Sequence, residues 1–471
     1  MSYSFVSERY LGHKDEGFRF SPVGLQISVA HKHHKAEAGI KKELILVNPR
    51  LSYLLFNFLQ ANAVGNPVPH SLHTLAALTP KDYKIKFINQ KQLWLKKDFV
   101  GEVLVGITCL TSAVFEAYQL ADKFRQAGSC VVLGGPHVSA LPDEALQHCD
   151  SVVIGEAESA WGQVIRDYEA GALKKTYQGE PLEDFFTPVY DYFLHLDPGV
   201  LSRSGIHIDR GCKYHCDFCA RISQWLRFVK IEQVIKLIKR IKAGNSNFFI
   251  RKPKLHFDCD NIYSSPLYAK ELFKAMIPLK VRWAANCSID IGFDEEALQL
   301  AKASGCRGFL IGFETIYPTE YGKTSLPQFR SAEDYRKAIA NIKAHGITFM
   351  GSFILGIDRY GHRDYLRLLW FLMRVRLWMF VLTILTPFPG SALYERLKEE
   401  GRIISFDWRK YIFLFCVIKP KHTSVLSVYA WFWFIRVLSV FFSPFLLLVF
   451  LFCFASSEAS YRLCRYIFHG F

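Results

Sequence analysis

Three cysteines, Cys212, Cys216 and Cys219, lie close together in the stretch DRGCKYHCDFCA, with the spacing C-x3-C-x2-C. The aromatic residue Phe218 directly precedes the last of them, and the other cysteines are scattered along the chain. A secreted disulfide scaffold would be shorter and denser in cysteine than this chain of 471 residues with 12 cysteines. Because clustered thiols in a reducing compartment usually bind a metal or react, this loop is the first candidate for chemistry.

The number of thiols limits which metal group the loop can hold. A structural zinc ion needs four ligands that close the site, so His207 or His215 would have to join the three cysteines. A [4Fe–4S] cluster is usually held by four thiolates. If only three hold it, one iron stays open to a small molecule that carries an amine and a carboxylate. The missing fourth thiol favours the cluster, and the zinc alternative stays open.

Two series of alternating strand-like and helix-like segments place this loop in a fold. In the first series, apolar runs typical of buried parallel strands alternate with helical stretches, including an amphipathic helix that ends at Gly128. This pattern predicts a doubly wound α/β domain over residues 41–175, with ligands beyond the carboxyl ends of the strands. The strand-like runs are residues 44–47, 84–89, 103–108, 130–135 and 151–156.

The second series predicts a partial or complete parallel (β/α) barrel over residues 203–400. Chemistry in such barrels collects at the carboxyl ends of the strands, and the cysteine loop directly follows the first of them. The strand-like runs are residues 205–211, 254–261, 282–290, 308–315, 348–356 and 380–388.

The remaining parts are a flexible tail (1–40), a linker (176–202) and a C-terminal extension (401–471). Residues 437–455 of the extension carry no charge, and as a helix they would span about 28 Å, close to the thickness of a bilayer core. The pattern fits a spanning or re-entrant segment, interfacial anchoring, or a buried helix. With no signal peptide and a net charge of +15, we expect a cytoplasmic protein anchored to the inner membrane through its C-terminus.

The cysteine loop and its place after the first barrel strand resemble the radical S-adenosylmethionine (SAM) superfamily, whose signature is CxxxCxΦC. The resemblance implies that Cys212, Cys216 and Cys219 ligate a [4Fe–4S] cluster and that Phe218 belongs to the SAM site. It also implies that SAM binds the open iron, and that reductive cleavage of SAM yields a 5′-deoxyadenosyl radical. The implied electron donor is a protein such as flavodoxin or ferredoxin.

Other strand ends resemble positions that contact SAM in this superfamily. In HFDCDN, Asp258 or Asp260 is expected to accept a hydrogen bond from the SAM amine. Ser288 and Glu314 are candidate contacts to the ribose or the methionine part. Gly356 is expected to let the backbone approach adenine closely, although IDRYGHRD replaces the usual turn with Pro, Gly and Glu.

The stretch VVLGGPHVSALPDEALQHCDSVVIGEAESAW (131–161) resembles the cobalamin-binding domain that is fused to many radical SAM enzymes. The resemblance implies cobalamin as a third cofactor. In classical cobalamin domains, a DxHxxG motif follows the first strand, and its histidine ligates cobalt. This chain lacks the motif after its first strand, and many radical SAM relatives lack it too. His137 is not expected to serve as the cobalt ligand instead. The expected cobalamin contacts are Thr108, Thr111, Gly134, Gly135, Gly155 and Glu156.

The combined resemblance implies cobalamin-dependent C-methylation, or a related modification, of an unactivated carbon in a small molecule. The hydrophobic C-terminus favours a lipid-like substrate such as a terpenoid. A radical SAM cyclase or oxidoreductase without methyl transfer, and a non-catalytic membrane-tethered cobalamin or iron–sulfur protein, are alternatives. The pattern disfavours tRNA methylthiolation, because Cys109, Cys130 and Cys149 form no second cluster motif, and no nucleic acid partner is expected.

Overall fold

The structure is a computed structural model that describes residues 42–49, 68–88, 103–244, 254–317, 331–377 and 380–442. The predicted tail, residues 1–40, lies outside the described residues. The chain divides into two compact units, Ser2–Leu182 and Glu183–Phe471.

The first unit contains a six-stranded sheet with the order β2-β1-β3-β4-β5-β6. All of its strand pairs are parallel, and the order reverses beside β1, which confirms the predicted doubly wound α/β fold. The strands are β1 (Lys42–Val47), β2 (Tyr83–Ile88), β3 (Leu104–Thr108), β4 (Cys130–Gly134), β5 (Ser151–Gly155) and β6 (Thr176–Gly179). The helices are α1 (His70–Leu78), α2 (Val114–Gln126), α3 (Pro136–Ala140), α4 (Pro142–Ala145) and α5 (Trp161–Glu169).

The central strands are apolar without interruption because helices cover both faces of the sheet. Leu44, Ile45, Leu46 and Val47 of β1 are all buried. The carboxyl ends of the parallel strands therefore meet at one edge, where doubly wound proteins bind their ligands.

His73 in α1 is buried against Phe87, and burial lowers its pKa from 6.5 to about 4. The unfolded chain takes up a proton below about pH 6.5, whereas the folded chain does so only near pH 4, so stability is lost as the pH falls through this window. This loss is ~3 kcal/mol at most. We expect the thermal midpoint of His73→Leu to fall less steeply between pH 7 and pH 4.5 than that of the wild type. Parallel pH profiles would contradict the prediction.

The second unit contains a six-stranded parallel sheet with the order β14-β13-β12-β11-β10-β7 and a small antiparallel ribbon of β8 and β9. The edge strands are β7 and β14, so the sheet forms a partial (β/α) barrel, as predicted. The strands are β7 (Ile206–His207), β8 (Asp209–Arg210), β9 (Arg227–Phe228), β10 (Lys254–Asp258), β11 (Arg282–Cys287), β12 (Cys306–Glu314), β13 (Thr348–Leu355) and β14 (Phe380–Ile384). The helices are α6 (Thr187–His195), α7 (Pro198–Ser204), α8 (Ile231–Gly244), α9 (Pro266–Met276), α10 (Glu295–Ala303), α11 (Ala332–Ala344), α12 (His362–Arg374), α13 (Ala392–Glu399) and α14 (Val425–Phe442).

The barrel strands alternate between a fully buried face and a partly exposed one. In β11, Trp283, Ala285 and Cys287 are buried toward the surrounding helices, and the Trp283 indole donates to Ser304 Oγ at 3.1 Å. The alternate residues of β11 are half-buried, as expected for a face that lines an open barrel interior.

The predicted membrane anchor at the C-terminus is wrong for the part of the chain that the structure describes. None of the described helices combines the length and apolar character needed to cross a membrane. In α14, which includes the start of the predicted segment, Val428, Phe432 and Ile435 are at most 5% exposed, because α14 packs against the barrel. Residues 443–455 of that segment lie outside the described residues. An apolar run in a sequence does not distinguish a helix that packs on a protein core from one that faces lipid.

Candidate active site

The cysteine loop follows β8 and starts with a glycine that no other residue can replace without strain. Gly211 has φ +82°, and a Cβ there would lie 2.3 Å from the Trp225 carbonyl oxygen. The chain after the loop therefore returns close to its beginning, where β9 pairs with β8. Cys212 and Cys216 are buried in the loop.

The predicted cluster ligands and the aromatic residue of the motif pack together. Cys212 and Cys216 form one buried cluster with Tyr214, and the partly buried Phe218 and Cys219 pack against it. The structure therefore brings these four motif residues together. Burial also raises the pKa of the Tyr214 phenol above its ordinary value.

Arg221, which sequence reasoning missed, binds the loop from its C-terminal side. Its Nε donates to Cys219 Sγ at 3.2 Å, and one terminal nitrogen donates to the Tyr214 carbonyl oxygen at 2.9 Å. The other terminal nitrogen lies 3.7 Å from Asp260 Oδ2. Burial raises the pKa of the Cys219 thiol, and the guanidinium acts in the opposite direction.

A second missed residue, Asp209, connects the start of the loop to the end of β10. Asp209 is 2% exposed, and its Oδ1 accepts the backbone N–H of Asp260 at 3.2 Å. Burial, together with the nearby Asp260 carboxylate, raises the pKa of Asp209 well above its ordinary value. The predicted SAM contact Asp258 pairs with His207, with 3.6 Å between Oδ2 and Nδ1. Both predicted carboxylates therefore lie at this strand end.

Three further contacts hold the loop in the barrel. The Lys213 ammonium lies 2.6 Å from Asp290 Oδ2 and donates to the Tyr263 carbonyl oxygen at 3.1 Å. From the C-terminal side, the Leu393 N–H at the start of α13 donates to the Asp217 carbonyl oxygen at 2.8 Å. Elements on both sides of the barrel therefore fix the backbone that carries the three thiols.

The donor set of this loop fits a [4Fe–4S] cluster, because its three thiols belong to one packed group of side chains. Three thiols with an N–H donor to one sulfur match the way proteins hold and tune such clusters.

The remaining predicted SAM contacts follow neighbouring strands. Ser288, next after β11, is buried, and both its N–H and its hydroxyl bond to the Asn261 side chain, at distances of 2.9–3.2 Å. Gly356 follows β13 with φ +82°, and its N–H donates to the Tyr365 hydroxyl at 3.2 Å. A Cβ there would make ordinary contacts with Leu385 and Val428, so the backbone angle alone requires glycine.

Glu314 ends β12 in a strained conformation. It has φ +63°, the register with β13 shifts at this point, and the Thr315 N–H donates to the Phe313 carbonyl oxygen at 2.7 Å. A left-handed backbone costs a residue with a Cβ about 1–2 kcal/mol, and such strain often persists at functional sites.

We expect Glu314→Gly to stabilise the chain by up to about 1 kcal/mol, because glycine adopts this backbone angle freely. The same change removes the carboxylate that is predicted to contact SAM, so SAM affinity should fall. Thermal unfolding and equilibrium binding of SAM measure the two effects. Glu314→Gln keeps the strain and should lose affinity alone; a less stable Glu314→Gly variant would contradict the prediction.

The predicted cobalamin contacts gather at the carboxyl edge of the first sheet. Thr108 and Gly134 are opposite each other in the β3–β4 register, and Thr111 starts the turn that leads into α2. A Cβ on Gly134 would come no closer than 3.7 Å to the chain, so packing does not explain its lack of a side chain. This bare backbone opposite Thr108 fits the edge of a bound cofactor.

At Gly135 and Gly155, contacts within the protein already explain why the residue is glycine. A Cβ on Gly135, which has φ +104°, would lie 3.0 Å from the backbone of Cys109, and one on Gly155 would lie 2.2 Å from the Gly179 carbonyl oxygen. Glu156 is buried beside them, and its N–H donates to the same carbonyl oxygen at 3.2 Å. These residues shape the edge through their own packing. His137 is fully buried, with its Nε2 3.3 Å from Glu144.

Comparison with protein families gives two matches along the chain. Residues 96–165 match the model of the B12-binding domain, and residues 206–372 match the model of the radical SAM superfamily.

Three curated proteins are similar over most of the chain. Bacteriochlorophyllide d C-12(1)-methyltransferase of Chlorobaculum tepidum is 30% identical over 392 residues, which are 82% of this chain and 84% of that protein. Bacteriochlorophyllide d C-8(2)-methyltransferase of the same organism is 28% identical, over 77% of this chain and 85% of that protein. Hopanoid C-2 methylase of Rhodopseudomonas palustris is 23% identical, over 80% and 74%.

Two solved structures share the fold. TsrM of Kitasatospora setae, a radical SAM methyltransferase solved with cobalamin and a [4Fe–4S] cluster, has a TM-score of 0.60 at 17% identity, over 77% of this chain and 78% of that one. OxsB, a cobalamin-dependent SAM radical enzyme, has a TM-score of 0.54 at 18% identity, over 82% and 57%. At these identities, the likeness concerns the fold alone.

Proposed function

This chain belongs to the cobalamin-dependent radical SAM methyltransferase family, and we propose that it methylates an unactivated carbon of a large, apolar, ring-containing small molecule. A chlorin-type tetrapyrrole is the substrate class that we propose first. The observation that carries this proposal is the 30% identity to a bacteriochlorophyllide methyltransferase across 82% of the chain. The similarity to the hopanoid methylase supports a hopanoid as the alternative substrate, which is also a large, apolar, ring-containing molecule.

The cofactors of the enzyme are a [4Fe–4S] cluster, SAM and cobalamin, as the two matched domains imply. When bound, they supply a radical that removes a hydrogen atom from carbon, and a methyl group that replaces it. We propose that Cys212, Cys216 and Cys219 hold the cluster, and that buried packing around these thiols keeps water away from the reacting centre. Asp258 and Asp260 would orient the amine of SAM at the end of β10.

The test is anaerobic turnover by the reconstituted full chain with SAM that carries a deuterated methyl group. Bacteriochlorophyllide d and a hopanoid serve as the two substrates, and mass spectrometry follows the product and 5′-deoxyadenosine. We expect deuterated methyl groups in the tetrapyrrole and none without SAM. Formation of 5′-deoxyadenosine without methylation of either substrate would overturn the proposal.

A further inference from the structure

The Arg221 side chain joins the cysteine loop to the end of β10. Its Nε donates to Cys219 Sγ, a second nitrogen donates to the Tyr214 carbonyl oxygen, and the third lies 3.7 Å from Asp260 Oδ2. Among the described residues, this third nitrogen is buried without a hydrogen-bond partner. One cation therefore faces a predicted cluster ligand on one side and a carboxylate on the other.

The surroundings make this charge effective. The side chain of Arg221 is only 14% exposed, so solvent screens its field less than it would at the surface. Asp260 is 45% exposed, and its opposing charge is screened more strongly. Of these two opposing charges, the Arg221 guanidinium is therefore expected to act more strongly on the Cys219 sulfur, to which it also donates a hydrogen bond.

We propose that Arg221 is a positioning residue that raises the reduction potential of the cluster through its hydrogen bond to Cys219, with Asp260 as an opposing charge. Reduction adds one electron to the cluster and no proton, so the reduced form carries the larger negative charge. An N–H donor to sulfur stabilises that form more than the oxidised form. The proposal depends on Cys219 as a cluster ligand and is independent of the substrate.

A purely structural role is the competing explanation, because the bond to the Tyr214 carbonyl oxygen also holds the loop. The two explanations predict different directions for the shifts in reduction potential. A loosened loop would shift the potential without regard to charge. The electrostatic role requires that removing the cation and removing the carboxylate shift the potential in opposite directions.

The experiment compares Arg221→Gln, Arg221→Lys and Asp260→Asn in the reconstituted full chain without SAM, with Arg409→Gln as the control. Arg409 is an exposed residue paired with Asp407. Iron content is measured first, and the cluster is then titrated with dithionite and followed by electron paramagnetic resonance. For Arg221→Gln, we expect an about tenfold lower ratio of reduced to oxidised cluster at a fixed potential, which corresponds to 59 mV for a one-electron couple.

Asp260→Asn should raise the ratio of reduced to oxidised cluster. Arg221→Lys should lower this ratio less than Arg221→Gln does, and Arg409→Gln should have the ratio of the wild type. An unchanged potential in Arg221→Gln with full iron content would overturn the proposal, and so would shifts of the same sign in Arg221→Gln and Asp260→Asn. If Arg221→Gln does not retain iron, Asp260→Asn decides, because it leaves the bond to Cys219 intact. A potential no higher than that of the wild type then rejects the proposal.

Discussion

Replacing Cys212, Cys216 or Cys219 by alanine is expected to abolish cluster binding and reduce turnover to background. Each thiol is predicted to bind a different iron, so each alanine variant removes one of the three predicted ligands. The loop backbone is held from both sides, by Lys213 and by the start of α13, so we expect no neighbouring thiol to compensate.

The measurements are iron and sulfide content and the visible charge-transfer absorption of anaerobically reconstituted protein. Cys130→Ala is the matched control, because Cys130 lies at the start of β4 in the other unit. It should retain the iron content and activity of the wild type. Retention of a full cluster in any one of the three motif variants would remove that residue from the ligand set.

Gly155→Ala is expected to have the largest effect in the first unit. The residue has φ +87°, and the new Cβ would lie 2.2 Å from the Gly179 carbonyl oxygen, so β6 must move away from β5. Left-handed strain and overpacking together cost about 3 kcal/mol. Because this change distorts the edge beside Glu156, cobalamin affinity should fall together with stability.

Gly128→Ala separates the cost of the left-handed backbone from the cost of the close contact. Gly128 has nearly the same backbone angle, φ +88°, but nothing lies within 4 Å of a Cβ placed there. That variant should lose about 1 kcal/mol from strain alone and keep its cobalamin. Thermal unfolding and the cobalamin content of purified protein measure both effects. If both variants lost the same amount of stability, the close contact with Gly179 would not contribute to the destabilisation of Gly155→Ala.

The part of the site that could be predicted rests on local patterns. The spacing of Cys212, Cys216 and Cys219 is visible within a few residues, and uninterrupted apolar runs mark strands wherever both faces of a sheet are covered. Strand ends such as Asp258 and Gly134 follow from those runs, because all carboxyl ends of a parallel sheet meet at one edge.

The residues that sequence reasoning missed depend on contacts between distant parts of the chain. Asp209 meets Asp260, 51 residues further on, and only the pairing of β7 with β10 brings these segments together. The sequence did offer one signal for these residues. Asp209 and Arg221 are charged residues that flank the cysteine motif, where a buried charge needs a partner. The wrong prediction of a membrane anchor has the same origin, since the partners of α14 are remote in sequence.

The sequence by itself determined the chemistry and the order of the domains, because thiol spacing and apolar periodicity are properties of neighbouring residues. Only the tertiary structure decided which cation lies against Cys219, that Glu314 ends its strand with a left-handed backbone, and which helix faces pack on the barrel. These features arise from the pairing of strands that are distant in sequence and from side chains that meet across the sheet. No local pattern of residues contains that information.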